Sequence, residues 1–150
     1  MSIQQPTKVS IPDSLQQVTR HWAPKRVASL NDAYDVRIVK VAGEFVWHSH
    51  TDTDELFYIL SGDLTIHLCE PGNEQTKDLQ DIQLSAGEMV VIPKGVRHRP
   101  VTNGQGCAIM VLEPIECSQH GGCDGHKGAQ ERSGIIKTTY CFLACWQVVL

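Results

Sequence analysis

Between Tyr34 and Glu113 the chain repeats short runs rich in Val and Ile, cut by Gly, Pro, Asn and Asp at intervals of roughly eight to twelve residues. This rhythm constrains the fold more than any other feature, because closely spaced breakers with β-branched runs between them are the pattern of an all-β sandwich or barrel. The runs predict strands at 34–41, 44–50, 55–60, 63–69, 79–84, 88–92, 96–101 and 106–113. Eight short strands suggest a jelly-roll β-barrel. The breakers support the divisions: Ser61-Gly62-Asp63 predicts a tight turn, Pro71-Gly72-Asn73 opens a longer loop, and Pro93-Lys94-Gly95 fits a turn with Pro second and Gly fourth.

The flanks differ from this body. A length of 150 residues suits one domain with a real core. Residues 1–12 are polar with two prolines and read as an extended arm. A short N-terminal helix is expected next, with Asp13 as N-cap, Gln16 completing a capping box, and Leu15, Val18, Thr19 and Trp22 on one face before Pro24. The barrel with its leading helix is assigned to 13–114, its core to 34–113, and an atypical C-terminal tail to 115–150. That tail holds Cys117, His120, Cys123 and His126 in a Gly-rich run, then an apolar end from Tyr140 to Leu150 that reads as appended. The four Cys and His residues lie within ten positions, whereas zinc modules usually place two ligand pairs across a long loop, so a flexible tail is the favoured reading.

Composition narrows the partners. Thirteen Lys and Arg against seventeen Asp and Glu give a net charge of −4, a poor footprint for phosphate backbones, and nucleic acid is set aside. The apolar end is eleven residues long, too short to cross a roughly 30 Å bilayer as a helix, so no membrane span is expected. Residues 1–12 lack the apolar block of a secretory signal, and the six cysteines do not form a secreted disulfide framework, which makes a cytoplasmic location the expectation.

Chemistry concentrates in two stretches. In a strand, residues two apart face one side, so His48 and His50 would put two imidazoles together. Glu55 has the opposite parity and needs the polar break at Thr51–Asp54 to reach the same interior, while Asp52 and Asp54 compete with it as the carboxylate. The second stretch, from Gly87 to Asn103, reverses at Pro93 and Gly95 and can aim His98 inward. Three imidazoles and one carboxylate suit one divalent transition metal ion, such as Fe, Mn, Ni or Zn, with positions left for water or substrate. The competing reading is that these are polar residues on a solvated strand face. Parity adds Val46, Phe57 and Ile59 as pocket-lining candidates. It turns Phe45 and Trp47 away from His48, and Leu56, Tyr58 and Leu60 away from Glu55, leaving an apolar outer surface for Trp22 and its helix, or a partner subunit, to cover. His67 is expected to face outward, Arg97 and Arg99 are expected to be surface charges, and no general base stands out beside the histidines.

These stretches resemble the paired signatures of the cupin superfamily, Gly-x5-His-x-His-x3,4-Glu-x6-Gly and Gly-x5-Pro-x-Gly-x2-His-x3-Asn. The chain has Gly43-x4-His48-x-His50-x4-Glu55-x6-Gly62 and Gly87-x5-Pro93-x-Gly95-x2-His98-x4-Asn103, with one residue fewer before His48, no Pro ahead of the His pair and one residue more before Asn103. The resemblance covers roughly 35–113 and implies a small RmlC-like β-barrel whose metal ligands are His48, His50, Glu55 and His98. It also implies pairing into a homodimer. The expected function is a metal-binding protein acting on, or binding, a small organic molecule. An Fe-dependent dioxygenase, a sugar-isomerase-like enzyme and a non-catalytic binding barrel stand as alternatives, since one fold hosts many chemistries.

Overall fold

A computed structural model of the protein describes residues 5–69 and 81–115. Its elements are α1 (Ile11–Gln16), β1 (Lys25–Leu30), β2 (Tyr34–Val41), β3 (Glu55–Ser61), β4 (Asp63–Cys69), β5 (Ile82–Ser85), β6 (Met89–Ile92), β7 (Arg97–Val101) and β8 (Cys107–Pro114). Two antiparallel sheets result, one in the order β1-β2-β8-β3-β6 and the other in the order β5-β4-β7. The all-β jelly-roll expectation therefore holds.

Strict alternation explains how the sheets face each other. In β3, Glu55, Phe57 and Ile59 are buried while Leu56, Tyr58 and Leu60 are half-buried. Val39, Val41, Ile109 and Val111 join Phe57 and Ile59 from the first sheet and meet Leu64, Ile66 and Leu84 from the second. Each such aliphatic or aromatic side chain contributes about 1.5–3 kcal/mol by leaving water, so this inner layer holds the sheets together. Gly62 makes the β3–β4 reversal possible. Its φ is +75°, and a Cβ there would lie 2.9 Å from the carbonyl oxygen of Gly106.

Several local expectations are corrected. The helix is capped by Ser10, whose hydroxyl accepts the Asp13 N–H, and it ends at Gln16 instead of reaching Trp22. Pro12 in its first turn supplies a preset φ and lacks an N–H that would be unbonded there anyway. Trp22 sits beyond the helix at φ 55°, donates its ring N–H to Ala42 O at 2.7 Å and packs on the inner core, so it does not cover the outer face. An edge strand, β1, precedes the first one expected. The turn after β6 places Pro93 first, with Val96 N–H donating to Pro93 O at 3.1 Å and Gly95 third at φ +81°.

The expected strand 44–50 takes another form. Residues 43–48 run antiparallel along β7 through Phe45 N–H to Pro100 O (2.9 Å), Thr102 N–H to Gly43 O (2.9 Å) and a reciprocal His48–His98 pair (3.1 and 2.8 Å). The two bridges, Glu44 with Val101 and His48 with His98, span three steps on β7 and four on this segment, so it carries one extra residue. Such a bulge breaks side-chain parity. The tail from 116 onward, with Cys117, His120, Cys123, His126 and the apolar end, lies outside the described residues, as does the Pro71-Gly72-Asn73 loop. Among the described residues no helix is long and apolar enough to cross a membrane.

Candidate metal centre

Three segments converge between the sheets. The bulged segment brings His48 and His50, the first residue of β3 brings Glu55, and the second residue of β7 brings His98. A pair of hydrogen bonds ties these segments together. Gly95 N–H donates to His50 O at 2.7 Å, and Lys94 N–H donates to the Asp54 carboxylate at 2.9 Å. The turn before β7 is thereby fastened to the loop before β3, which sets His98 opposite the other two histidines.

One donor atom from each of His48, His50, Glu55 and His98 lies within 4.8 Å of the other three. Glu55 Oε2 is 3.0 Å from His50 Nε2, 3.0 Å from His98 Nε2 and 3.9 Å from His48 Nε2. The rings of His48 and His98 are 4.2 Å apart between centroids. Glu55 and His98 are buried, His48 and His50 half-buried, so the cluster opens on the histidine-pair side.

The ring tautomers follow from the second nitrogens. His48 Nδ1 contacts Val46 O at 3.0 Å, and His98 Nδ1 contacts Val96 O at 3.0 Å. A carbonyl only accepts, so each Nδ1 carries a proton and each ring turns its Nε2 toward Glu55. Burial, followed by the His98 charge, lowers the His48 pKa to about 4, keeping its imidazole neutral at ordinary pH. For Glu55, burial pushes the carboxyl up, yet the His50 and His98 rings, which donate to it whenever their Nε2 atoms carry a proton, outweigh burial and hold the group below the usual carboxylate range. Nitrogen lone pairs and an ionised carboxylate facing one point repel each other unless a cation or shared protons lie among them. A donor set of three imidazoles and one carboxylate with fixed tautomers fits a divalent transition ion.

The competing carboxylates are elsewhere: Asp54 accepts Lys94 N–H, and Asp52 accepts the Thr51 hydroxyl at 3.2 Å. Among the apolar candidates, Phe57 is buried with its ring edge-on to His98 at 5.9 Å, and Ile59 is fully buried in the core. Val46 is half-buried, and its carbonyl is what touches His48. Phe45 does not turn away from His48 as strict alternation predicts. The bulge lets its ring meet the His48 edge at 5.0 Å while it stacks on Trp22 at 5.1 Å. His67 is half-buried and paired with Asp81 at 2.7 Å, and Arg99 pairs with Glu44 at 2.9 Å over the Trp47 ring.

Sequence reasoning missed a charged group on the same wall. Arg37 Nη2 lies 2.7 Å from Asp35 and Nη1 lies 3.1 Å from Glu113, with only 8% of the Arg37 side chain exposed. Its signal was present in the sequence. Glu113 is in phase with the core residues Ile109 and Val111, and Asp35 and Arg37 are in phase with Val39 and Val41.

Comparison with known proteins gives one consistent likeness. The sequence profile of the family described as "Cupin domain" (Cupin_2) matches residues 36–113. A crystal structure of a cupin-2 domain containing protein from Shewanella frigidimarina is 43% identical, covers 71% of this chain and 93% of its own, and superposes with a TM-score of 0.62. A Bacillus subtilis protein, YdbB, described as uncharacterized, is 38% identical over 83 residues, which span 55% of this chain and 66% of that one. Hydroquinone 1,2-dioxygenase from Sphingomonas shares the fold at 18% identity and a TM-score of 0.52, covering 64% of this chain and 66% of its own.

Proposed function

The chain belongs to the cupin family, and from that premise we propose that it binds one divalent transition metal ion through His48, His50, Glu55 and His98, and acts on or holds a small organic molecule there. The observation that carries this reading is the convergence of four donor atoms within 4.8 Å, with two rings locked as Nδ1–H tautomers by Val46 O and Val96 O. A bound ion would supply Lewis acidity, or redox chemistry if it is iron. The residues do the rest. The backbone carbonyls orient the histidines, Glu55 contributes the negative charge, and Phe57 with the core behind it keeps water from the buried side.

Elemental analysis of freshly purified protein tests the reading. His50→Ala and His98→Ala should each lose the metal while circular dichroism keeps the β signature. Metal content equal to wild type in both variants rejects the ligand set. Oxygen uptake by the iron-loaded protein with phenols, thiols and diketones then separates an Fe-dependent dioxygenase from a non-catalytic binding barrel.

Two further parts belong to the same reading. The register of the larger sheet aligns Val91, Leu56, Leu112 and Val36 in one row, and Met89, Tyr58 and Met110 in the next, on the side away from the core. Met89 and Val91 are 54% and 44% exposed, and this apolar face supports a homodimer, tested by sedimentation of wild type against Val91→Lys. A cytoplasmic setting agrees with the unpaired thiols of buried Cys69 and Cys107.

A further inference from the structure

The inner face of the larger sheet carries a row of acids where a core would place aliphatic residues. Leu56 pairs with Leu112, so one step further Glu55 falls opposite Glu113, and Glu113 pairs with Asp35 on β2. Side chains facing each other across neighbouring strands have Cβ atoms about 5 Å apart. Glu113 is therefore the immediate lateral neighbour of the carboxylate in the metal centre. Its side chain is only 14% exposed, and one oxygen is held at 3.1 Å by Arg37, whose other nitrogen is spent on Asp35 at 2.7 Å. Arg26, largely exposed, reaches the second Asp35 oxygen at 3.7 Å.

This arrangement is poor structural economy. Burying two acids and a guanidinium is often no better for stability than packing apolar residues of the same size. The wall also has a definite character toward a ligand. The guanidinium is occupied by two carboxylates, so it offers little to an incoming anion. A carboxylate, in contrast, has lone pairs for several hydrogen bonds, and an acceptor pinned in place by Arg37 can take one more.

We propose that Glu113, fixed by Arg37, is a ligand-binding residue that accepts a hydrogen bond from whatever is bound at the centre. The site then selects small neutral molecules carrying an N–H or O–H donor together with their metal-binding atom and disfavours carboxylates. This rests on the metal-binding reading above. The direction of the Glu113 acidity agrees: burial pushes its carboxyl up against the opposing influence of Arg37, as expected for a confined acceptor near other acids.

The test uses the full chain loaded with Co2+, whose visible absorption reports what joins the metal, titrated with imidazole, 1-methylimidazole and acetate. Imidazole and its methyl derivative share the metal-binding nitrogen and differ in the N–H donor. Wild type should bind imidazole about tenfold more tightly than 1-methylimidazole, the factor that one charge-assisted hydrogen bond supplies. Acetate should leave the spectrum unchanged. In Glu113→Ala the preference should vanish while the Co2+ spectrum before titration stays as in wild type, an outcome that a purely structural role for Glu113 does not give. Glu113→Gln keeps the shape and removes the charge, so it should respond to acetate even if the alanine variant fails to fold. Equal binding of the two imidazoles by wild type, no response to imidazole, or a Glu113→Gln protein as indifferent to acetate as wild type overturns the proposal. A wild-type chain that takes up no Co2+ overturns the metal reading and this inference with it. Normal Co2+ uptake with insensitivity to residue 113 overturns this inference alone.

Discussion

The Asp54 carboxylate accepts the backbone N–H of Lys94 at 2.9 Å across forty residues of sequence, joining the loop that ends in Glu55 to the turn that delivers His98. Asp54 is not one of the four clustered donors, yet it governs how closely two of the four donor-bearing segments approach. Asp54→Ala should cost about 1 kcal/mol of stability, as for a lost side-chain cap on a backbone donor. Metal affinity should fall several-fold with all four ligands intact. Chelator competition alongside thermal unfolding checks this, and Asp54→Asn should recover most of the loss.

Acid should destabilise the metal-free protein through His48. Its folded pKa of about 4 lies below the ordinary histidine value, so the unfolded chain takes up a proton first as pH falls. The stability associated with the neutral ring is thus complete above about pH 6.5 and is withdrawn between there and about pH 4, by roughly 2–3 kcal/mol. Glu55 adds to this in the same direction. Its folded pKa is held below the carboxylate range, so its contribution is present above the unfolded value and declines as pH drops further. Urea unfolding of chelator-treated protein from pH 7.5 to pH 4 should show the decline. His48→Gln should flatten its upper part.

The site was more legible than its frame. His48, His50, Glu55 and His98 could be singled out because spacing on strands and around turns carries geometry into sequence, and the four donor atoms do gather. Strand β1 gave no such signal: Lys25 to Leu30 is an edge strand with mostly exposed residues, so no alternation marks it. The extra residue between Phe45 and His48 was equally invisible, because a bulge is defined by the partner strand. Glu113 and Arg37 were overlooked for a different reason. Their in-phase positions were readable, but only the pairing of β2 with β8 brings them together.

Gly62→Ala should be among the most damaging single-methyl changes in the fold. The position combines φ +75° with a Cβ that would meet Gly106 O at 2.9 Å, so either the hairpin opens or β8 moves. A loss of about 2 kcal/mol or more is expected, measured by denaturant unfolding. Gly95→Ala also has a positive φ, but a Cβ there meets nothing within 4 Å, so its cost should be about 1 kcal/mol and its unfolding midpoint higher.

Trp22 should influence the metal centre from outside it. Its indole stacks on Phe45 at 5.1 Å, Phe45 meets the edge of His48 at 5.0 Å, and the indole N–H is anchored to Ala42 O at 2.7 Å. The backbone N–H of Trp22 also donates to Lys40 O at 2.7 Å, which holds the residue at a φ of 55° that non-glycine residues seldom adopt. Removing the indole takes away the surface against which Phe45 is pressed, and with it the lateral support of the His48 ring. Trp22→Ala should cost about 3 kcal/mol in stability. It should also weaken metal binding several-fold and broaden the spectrum of bound Co2+, because His48 gains freedom while His50, Glu55 and His98 keep theirs restricted. Trp22→Phe retains a ring for the stack and loses only the hydrogen bond to Ala42, so it should keep a sharp Co2+ spectrum despite lower stability. A Trp22→Ala protein that is destabilised but binds Co2+ with wild-type affinity and line shape would show that the aromatic stack supports the fold without steering the histidine.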